Sequence, residues 1–195
     1  MPVLPALLAF TLGLILVLVL AVGLVTYNSV VALQKRVDKA WANIEVALRQ
    51  RHDELPNLVE AVRGIMSLER AVLEEVTRRR AAYAPADPVT RQAATSDATS
   101  EAIRSLFAVV ERYPAVRSQE NVKALQDEIE RLETLIAGRR EFYNDSVYLH
   151  NATIRQAPAV FLAGLFSWQP RVFFEAAPDE RERPDVSVPG AGTTG

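Results

Sequence analysis

The beginning of the chain is almost entirely apolar, and no charged side chain occurs before Lys35. From Leu4 to Val25 nearly every residue is Leu, Val, Ala, Ile, Phe or Gly. About 20 such residues, at about 1.5 Å each, cross a hydrocarbon core of about 30 Å. A cleaved signal peptide, the main alternative, would need a basic start and an apolar run of only about 7–15 residues. The pattern predicts a transmembrane helix, with residues 1–26 as the anchor.

From Tyr27 the apolar residues recur three and four positions apart, which is the period of a packed helix. This first stripe consists of Val30, Leu33, Val37, Trp41, Ile44 and Leu48. Asp53 is a good N-cap and Pro56 suits a first helical turn, so a second helix is predicted to start there. The alternative is one long helix that is kinked at Pro56.

The rest of the chain predicts three more helices. The second helix runs from Leu55 to about Tyr83, and residues 84–100, rich in Thr, Ser and Asp with two prolines, read as a loop. A third helix carries Ile103 to Tyr113, and a fourth, capped by Ser118, continues to Pro158. Amphipathic helices without a strand pattern predict an all-α fold, in which the anchor is followed by an antiparallel four-helix bundle over residues 27–158.

Two segments follow the predicted bundle. Residues 159–175 contain Trp168 and several phenylalanines, yet they are too few to span a bilayer. They fit either a cap packed on the end of the bundle or an interfacial segment that lies on the membrane. Residues 176–195 are charged and then rich in Pro, Gly and Thr, which predicts a disordered tail.

Composition narrows the range of functions. The net charge of −2 lacks the basic excess of a nucleic-acid binder, so no nucleic-acid partner is expected. The chain has no cysteine and two histidines, and it lacks a phosphate-binding glycine loop, Glu-x-x-His pairs and a nucleophile elbow. We therefore expect no enzyme activity, no cofactor and no metal site.

Polar residues interrupt the apolar stripes at a few positions. At about 100° per residue, Glu133, Arg140, Asn144 and Asn151 fall in a row about 40° wide beside the stripe of the fourth helix. Glu69 lies within the stripe of the second helix. A buried carboxylate must be paired, so an internal structural network is favoured over a ligand site. The up-down order of the helices predicts that Glu69 pairs with Arg140 and that Asn144 completes the hydrogen bonds.

Basic residues predict the orientation of the anchor. Lys35, Arg36 and Lys39 follow the apolar stretch, whereas no Lys or Arg precedes it. The positive-inside rule then places the bundle in the cytoplasm and the N-terminus outside. The expected location is the inner (cell) membrane, with a single span.

Two motif regions resemble the LemA family of bacterial membrane-anchored proteins. The first is Arg36-Val37-Asp38-x-Ala40-Trp41-x-x-Ile44 together with Leu55-Pro56-Asn57-Leu58-Val59-Glu60, and the second is Arg140-x-x-Tyr143-Asn144 with Asn151-x-x-Ile154-x-x-x-Pro158. The final Arg171-x-Phe173-Phe174-Glu175 is also similar. His150, Ala157 and Leu135 depart from the family's usual Tyr, Phe and polar residue. The resemblance implies one span and a helical bundle, and it supplies no catalytic residues.

The expected function is a non-enzymatic scaffold or adaptor whose bundle binds protein partners. Genes of the resembling family often lie beside a membrane metalloprotease, so a membrane protease is one expected partner, besides the lipid bilayer. A homo-oligomer is compatible with the pattern. The alternative is a membrane-organising or remodelling protein that engages lipid through the Phe/Trp-rich segment after Pro158.

Overall fold

The computed structural model describes residues 3–63 and 69–176, and every regular element within those ranges is helical. The helices are α1 (Val3–Arg63), α2 (Arg70–Ala81), α3 (Val89–Val110), α4 (Pro114–Arg117), α5 (Glu120–Thr153) and α6 (Ala159–Ala163). The all-α prediction is confirmed. The predicted tail lies outside the described residues, apart from Ala176.

The first half of α1 is apolar on all sides and exposed. Leu4, Phe10 and Leu24 are 70%, 72% and 65% exposed, whereas Val30, Ile44 and Leu58 further along the same helix are fully buried. Among the described helices, α1 alone is long and apolar enough to cross a membrane. One helix therefore combines a stretch suited to lipid with a stretch that builds the core.

Helix α1 does not break at Pro56, so the predicted helix start near Asp53 is wrong and the single-helix alternative holds. Proline has no N–H, and within a helix this deprives the carbonyl four residues earlier of its usual donor. That carbonyl belongs to His52, and here it accepts a hydrogen bond of 3.0 Å from Nε of Arg80 on α2. The side chain of a neighbouring helix thus replaces the missing amide. Helix α1 ends at Arg63 instead, and α2 begins at Arg70.

Helix α3 starts well before the sequence pattern predicts it. The loop expected over residues 84–100 is wrong, because α3 begins at Val89. Its buried face carries small or polar side chains instead of large apolar ones: Gln92, Ala93, Ser96 and Thr99 are all nearly inaccessible. Such residues weaken a hydrophobic stripe, and Ser and Thr also favour turns, which explains the misreading.

Helix α5 is shorter at both ends than predicted. Ser118 does not cap it, because Ser118 closes the short α4 and its hydroxyl donates to the Ala115 carbonyl at 3.4 Å. Gln119 occupies the N-cap position without a side-chain hydrogen bond. At the other end, the helix stops at Thr153, ahead of Pro158.

The buried residues form three clusters along the length of α1. The tip core contains Leu58, Leu106 and Ile129 and lies where α1, α2, α3 and α5 meet. The middle core contains Val37, Ile44, Ala93, Tyr143 and Phe174, with Trp41 partly buried against it. The junction core contains Val30, Ile154, Ala159 and Trp168, next to the apolar half of α1.

Candidate functional site

The best-connected polar group in the described part of the chain centres on Arg51 of α1. Its side chain is only 4% exposed. Its guanidinium donates to Glu133 Oε1 at 2.7 Å, to Ser100 Oγ at 2.9 Å and to Ser96 Oγ at 3.0 Å. The Ser100 hydroxyl in turn donates to the other Glu133 oxygen at 2.6 Å. A buried charge is tolerated only with this degree of pairing, so the network ties α1, α3 and α5 together.

The other members of the polar row on α5 hold two different neighbours. Arg140 pairs with Asp97 of α3 at 2.6 Å. Asn144 and Asn151 instead bind the extended residues 168–175, called the strap from here on. Oδ1 of Asn144 accepts from the Phe174 amide at 2.8 Å. Asn151 accepts from the Arg171 amide at 2.7 Å and donates to its carbonyl at 2.9 Å.

The strap is also held by Tyr143 and Asp38. The Tyr143 hydroxyl donates to the Val172 carbonyl at 2.8 Å, and the Arg171 guanidinium lies 3.0 Å from Asp38. Burial raises the pKa of the Tyr143 phenol above its ordinary value of 10.0. The nearby Arg171 opposes this rise and Asp38 adds to it, but both effects are smaller than that of burial. The phenol therefore remains a hydrogen-bond donor at physiological pH.

Glu69 lies apart from the polar row, and the predicted Glu69–Arg140 pair is wrong. Glu69 contacts Arg112 at 3.3 Å and the Tyr113 hydroxyl at 3.4 Å, beyond the end of α3. The prediction assumed a helix that starts near Pro56 and continues through Glu69. Helix α2 begins at Arg70, so Glu69 occupies the N-cap position of α2 and not a mid-helix position.

A cleft of about 490 Å³ lies between α3 and α5, directly over the Arg51 network. Its lining includes Asp97, Arg104, Glu133, Arg140 and Asn144, so three members of the polar row share it. Arg104 also pairs with Glu101 on its own helix, and that pairing raises the pKa of the guanidinium. The lining includes both cations and carboxylates. The cleft thus suits mixed polar contacts better than a single charged ligand.

A second polar group surrounds His52, next to Pro56. The His52 ring lies 5.2 Å from the Tyr83 ring, and Nδ1 is buried without a hydrogen-bond partner in the described structure. Burial, with the nearby positive charge of Arg80, lowers the pKa of His52 below its ordinary value of 6.5. The imidazole is therefore neutral at pH 7.

The segment after Pro158 is buried on one side and exposed on the other. Ala159 and Trp168 are 2% and 8% exposed, whereas Phe161 and Leu165 are 78% and 75% exposed. Phe166 packs on Tyr27 of α1 with ring centroids 4.8 Å apart. Ser167 has a φ of 53°, and this left-handed residue reverses the chain so that Trp168 packs inward. The segment thus has buried residues, as a cap would, and exposed apolar residues, as an interfacial segment would.

The described residues contain no group of three or more His, Asp or Glu side chains arranged to hold a metal ion. The side chains of the polar row make their hydrogen bonds with α1, α3 and the strap. Its geometry connects elements of the fold, and the carboxylate beside the Ser100 hydroxyl is already paired with Arg51.

Sequence reasoning missed the Arg51 network, although one signal was present. Arg51 continues the apolar stripe of Ile44 and Leu48, and a charged residue in a stripe needs a buried partner. The partners Ser96 and Ser100 lay in a segment read as a loop.

Residues 40–188 match the LemA family, which is most of the chain. The chain belongs to the LemA family. Among curated proteins, this LemA protein is similar to magnetosome proteins MamQ 1 and MamQ 2 of Paramagnetospirillum magneticum, with 23% identity over 82% of this chain and 68% of each relative. The magnetosome protein MamQ of Magnetospirillum gryphiswaldense is 22% identical over 80% of this chain and 66% of the relative. With the apolar half of α1, these findings indicate a membrane-associated helical protein.

Proposed function

We propose that this LemA protein is a non-enzymatic, single-pass membrane scaffold whose helical domain binds protein partners. The observation that carries the proposal is the continuity of α1 from Val3 to Arg63. A helix that passes from an apolar, exposed half directly into the core leaves no flexible joint between anchor and domain. Such a domain stays at a set distance from the bilayer along α1, as a scaffold requires.

The proposed architecture is an antiparallel four-helix bundle made of α1 beyond Tyr27, α2, α3 and α5. Two contacts support it. Val30 clusters with Ile154, whereas Arg51, further along α1, pairs with Glu133, earlier on α5. Residues later in α1 thus contact residues earlier in α5, as in an antiparallel pair of helices. Arg80, near the end of α2, reaches back to His52 of α1 in the same sense.

The proposed orientation places the domain in the cytoplasm and the anchor in the inner membrane. It is supported by Lys35, Arg36 and Lys39, which follow the apolar half of α1. Reporter enzymes fused after Gly195 test it, because a cytoplasmic-type reporter should be active there and a periplasmic-type reporter inactive. Activity of the periplasmic-type reporter would overturn the orientation.

The proposed partner surface is the cleft between α3 and α5. Its Asp97, Arg104 and Arg140 carry charges of both signs, as the rims of polar protein interfaces do, where complementary charges select a partner. A membrane protease is the partner that we propose, since a fixed domain beside the bilayer can present itself only to neighbours in the same membrane. The resemblance to a family often encoded beside such a protease supports this choice.

Site-specific photocrosslinking tests the scaffold role. A photoreactive residue replaces Arg104 or Glu141 at the cleft, and, as a matched control, Lys123 at the exposed start of α5. In membranes that also contain the protease, we expect a defined adduct with it from the cleft positions and none from Lys123. Equal adducts from all three positions, or none from the cleft, would contradict the proposal.

A second proposed function, membrane organisation, rests on a different observation. Phe161 and Leu165 are largely exposed on a segment that packs against Tyr27 and Val30, where α1 leaves its apolar half. Exposed apolar side chains at this level are suited to the interfacial region of a bilayer. Electron microscopy of vesicles that contain the protein tests this function. Vesicles whose shape does not differ from those with a Phe161→Ser, Leu165→Ser variant would contradict it.

A further inference from the structure

We propose that the exposed face of residues 160–166 docks on the anionic headgroups of the bilayer that holds the anchor. The exposed apolar side chains of this face, called the wedge from here on, contact the lipid, and basic residues around them bind the headgroups. The inference rests on the second proposed function, lipid contact by this segment, and adds the class of lipid. The occupant is a phospholipid surface with negative charge.

The position of the wedge follows from its contacts with α1. Phe166 and Trp168 pack on Tyr27, with ring centroids 4.8 and 6.1 Å away. Ala159 and Trp168 share the junction core with Val30. A span that ends near Val25 brings Tyr27 to the level of the headgroups, because only about 3 Å of helix separates the two residues. The wedge is therefore continuous with the apolar surface of the anchor.

The direction of the wedge follows from burial. Phe161 and Leu165 are 78% and 75% exposed, and Val160 and Phe166 are 43% and 45% exposed. The rest of the segment uses Ala159, Leu162 and Trp168 to pack on the domain. Large apolar side chains this exposed and this close together mark an interaction surface, and the neighbouring span shows which medium covers it.

The charge around the wedge favours anionic lipid. No Asp or Glu precedes Asp38, and none occurs between Asp145 and Glu175. The first charged residues reached from the wedge are Arg155 along the chain and Lys35 and Arg36 along α1, besides Arg171, whose charge is paired with Asp38. Lys35 and Arg155 are exposed and have no ion-pair partner in the described part of the chain. Lys35 lies about 12 Å beyond Tyr27 along the helix, slightly farther than the about 8–10 Å over which the surface potential decays, and its long side chain can reach back toward the bilayer.

Neither half of this surface would suffice alone. A short apolar patch gives weak binding, and a few basic side chains are screened by salt, whereas stable interfacial attachment combines the two. Here the tether of α1 already holds the surface at the bilayer. Docking therefore decides the pose of the domain and not whether it is attached.

A single-cysteine probe on the full-length protein tests the inference. The chain has no cysteine, so Val160→Cys and, as a control on α3, Ser105→Cys each give one labelling site. A fluorescent label is attached, and the protein is reconstituted in phosphatidylcholine vesicles with or without about 30% phosphatidylglycerol, an anionic content that gives a negative surface potential. Quenching by neutral acrylamide reports exposure to water.

We expect quenching at position 160 to fall about threefold or more when phosphatidylglycerol is present, while position 105 stays unchanged, because the surface potential decays within a Debye length. Phe161→Ser with Leu165→Ser should restore quenching at position 160. Lys35→Gln with Arg155→Gln should abolish the dependence on phosphatidylglycerol, whereas Arg117→Gln with Lys123→Gln should retain it. All of these side chains are exposed, so the variants leave the core intact.

Two results would overturn the inference. Quenching at position 160 that is as strong as at position 105 in both vesicle types would show that the wedge does not meet lipid. Protection that is equal with and without phosphatidylglycerol would show that headgroup charge plays no part. Protection that depends on phosphatidylglycerol in vesicles of unaltered shape would support the docking and contradict membrane organisation as the function.

Discussion

At the residue scale, the feature that most constrains this molecule is the burial of Arg51 against Glu133. An arginine that is 4% exposed keeps its charge, so its carboxylate partner cannot be removed cheaply. Ser96 and Ser100 accept further hydrogen bonds from the guanidinium, which explains why small polar side chains face inward on α3. The Arg51 network thus fixes the register of α3 against α1 and α5.

Removal of one partner of the network should therefore be costly. We expect Glu133→Ala to lower the free energy of unfolding by about 2–4 kcal/mol, because Arg51 is left buried and unpaired. Arg51→Met combined with Glu133→Leu should lose much less, since no charge stays behind. Urea denaturation of the single and double variants in detergent micelles measures the coupling. Losses that simply add would show that the two side chains act independently.

Glu69, the N-cap residue of α2, provides the contrast on the same scale. Its partner Arg112 is 64% exposed, and exposed ion pairs contribute little because water and salt screen them. We expect Glu69→Ala to change stability by less than about 1 kcal/mol. A loss comparable to that of Glu133→Ala would show that the Glu69–Arg112 pair is more important than its exposure indicates.

His52 should make stability depend on pH. Its pKa is lowered in the folded protein, so as the pH falls through 6.5 the unfolded chain binds the proton more readily than the folded chain. Stability contributed by neutral His52 is present above this pH and declines below it. We expect the melting temperature to decrease from pH 7.5 to 5.5, and to decrease less in His52→Gln. Identical pH profiles for the two proteins would contradict this role.

At the element scale, two elements depend on side chains that other elements supply. Helix α1 passes Pro56 because Arg80 of α2 donates to the His52 carbonyl. The Trp168 amide of the strap donates to the Ala163 carbonyl of α6 at 3.0 Å, and beyond it the side chains of Asn144, Asn151 and Tyr143 hold the strap. Both arrangements depend on residues far away in the sequence, so local sequence patterns could not predict them.

The apolar stripes predicted most of α1, α2 and α5, because large apolar residues at a regular period report a buried face directly. They failed where a face is buried without being apolar, as at Ser96 and Thr99 of α3. They also failed at Pro56, where a local rule about proline is overridden by a donor from another helix. The polar row was found from its angle alone, whereas its partners in α3 and the strap depended on tertiary structure.

The hydrogen bond that Arg80 donates to the His52 carbonyl, in place of the N–H that Pro56 lacks, can be tested by mutation. Arg80→Met should destabilise the protein by about 1–3 kcal/mol, because the His52 carbonyl loses its partner. In a Pro56→Ala background the alanine amide supplies that hydrogen bond, so the same replacement should cost less. A thermodynamic cycle of the four proteins measures the difference. Equal costs in both backgrounds would contradict the explanation given for the unbroken helix.

The strap should contribute strongly to stability through one side chain. Phe174 is fully buried in the middle core, near Trp41 and Tyr143, and we expect Phe174→Ala to cost about 3–5 kcal/mol. Phe173→Ala is the matched control, since the Phe173 side chain, next to Phe174 in the sequence, is 37% exposed. Trp41 emission should shift to longer wavelength only in the Phe174 variant. Equal effects of the two replacements would show that the strap is not packed as described.

At the scale of the whole molecule, the continuity of α1 makes the domain a lever for the bilayer. Beyond Val25 the helix extends about 57 Å, so a tilt of about 10° displaces its far end by about 10 Å. Transmembrane helices tilt when the hydrocarbon layer is thinner than their apolar length. A change in bilayer thickness thus becomes a lateral displacement at Arg63. The helix transmits it past Pro56 because Arg80 donates to the His52 carbonyl and the helix does not break there.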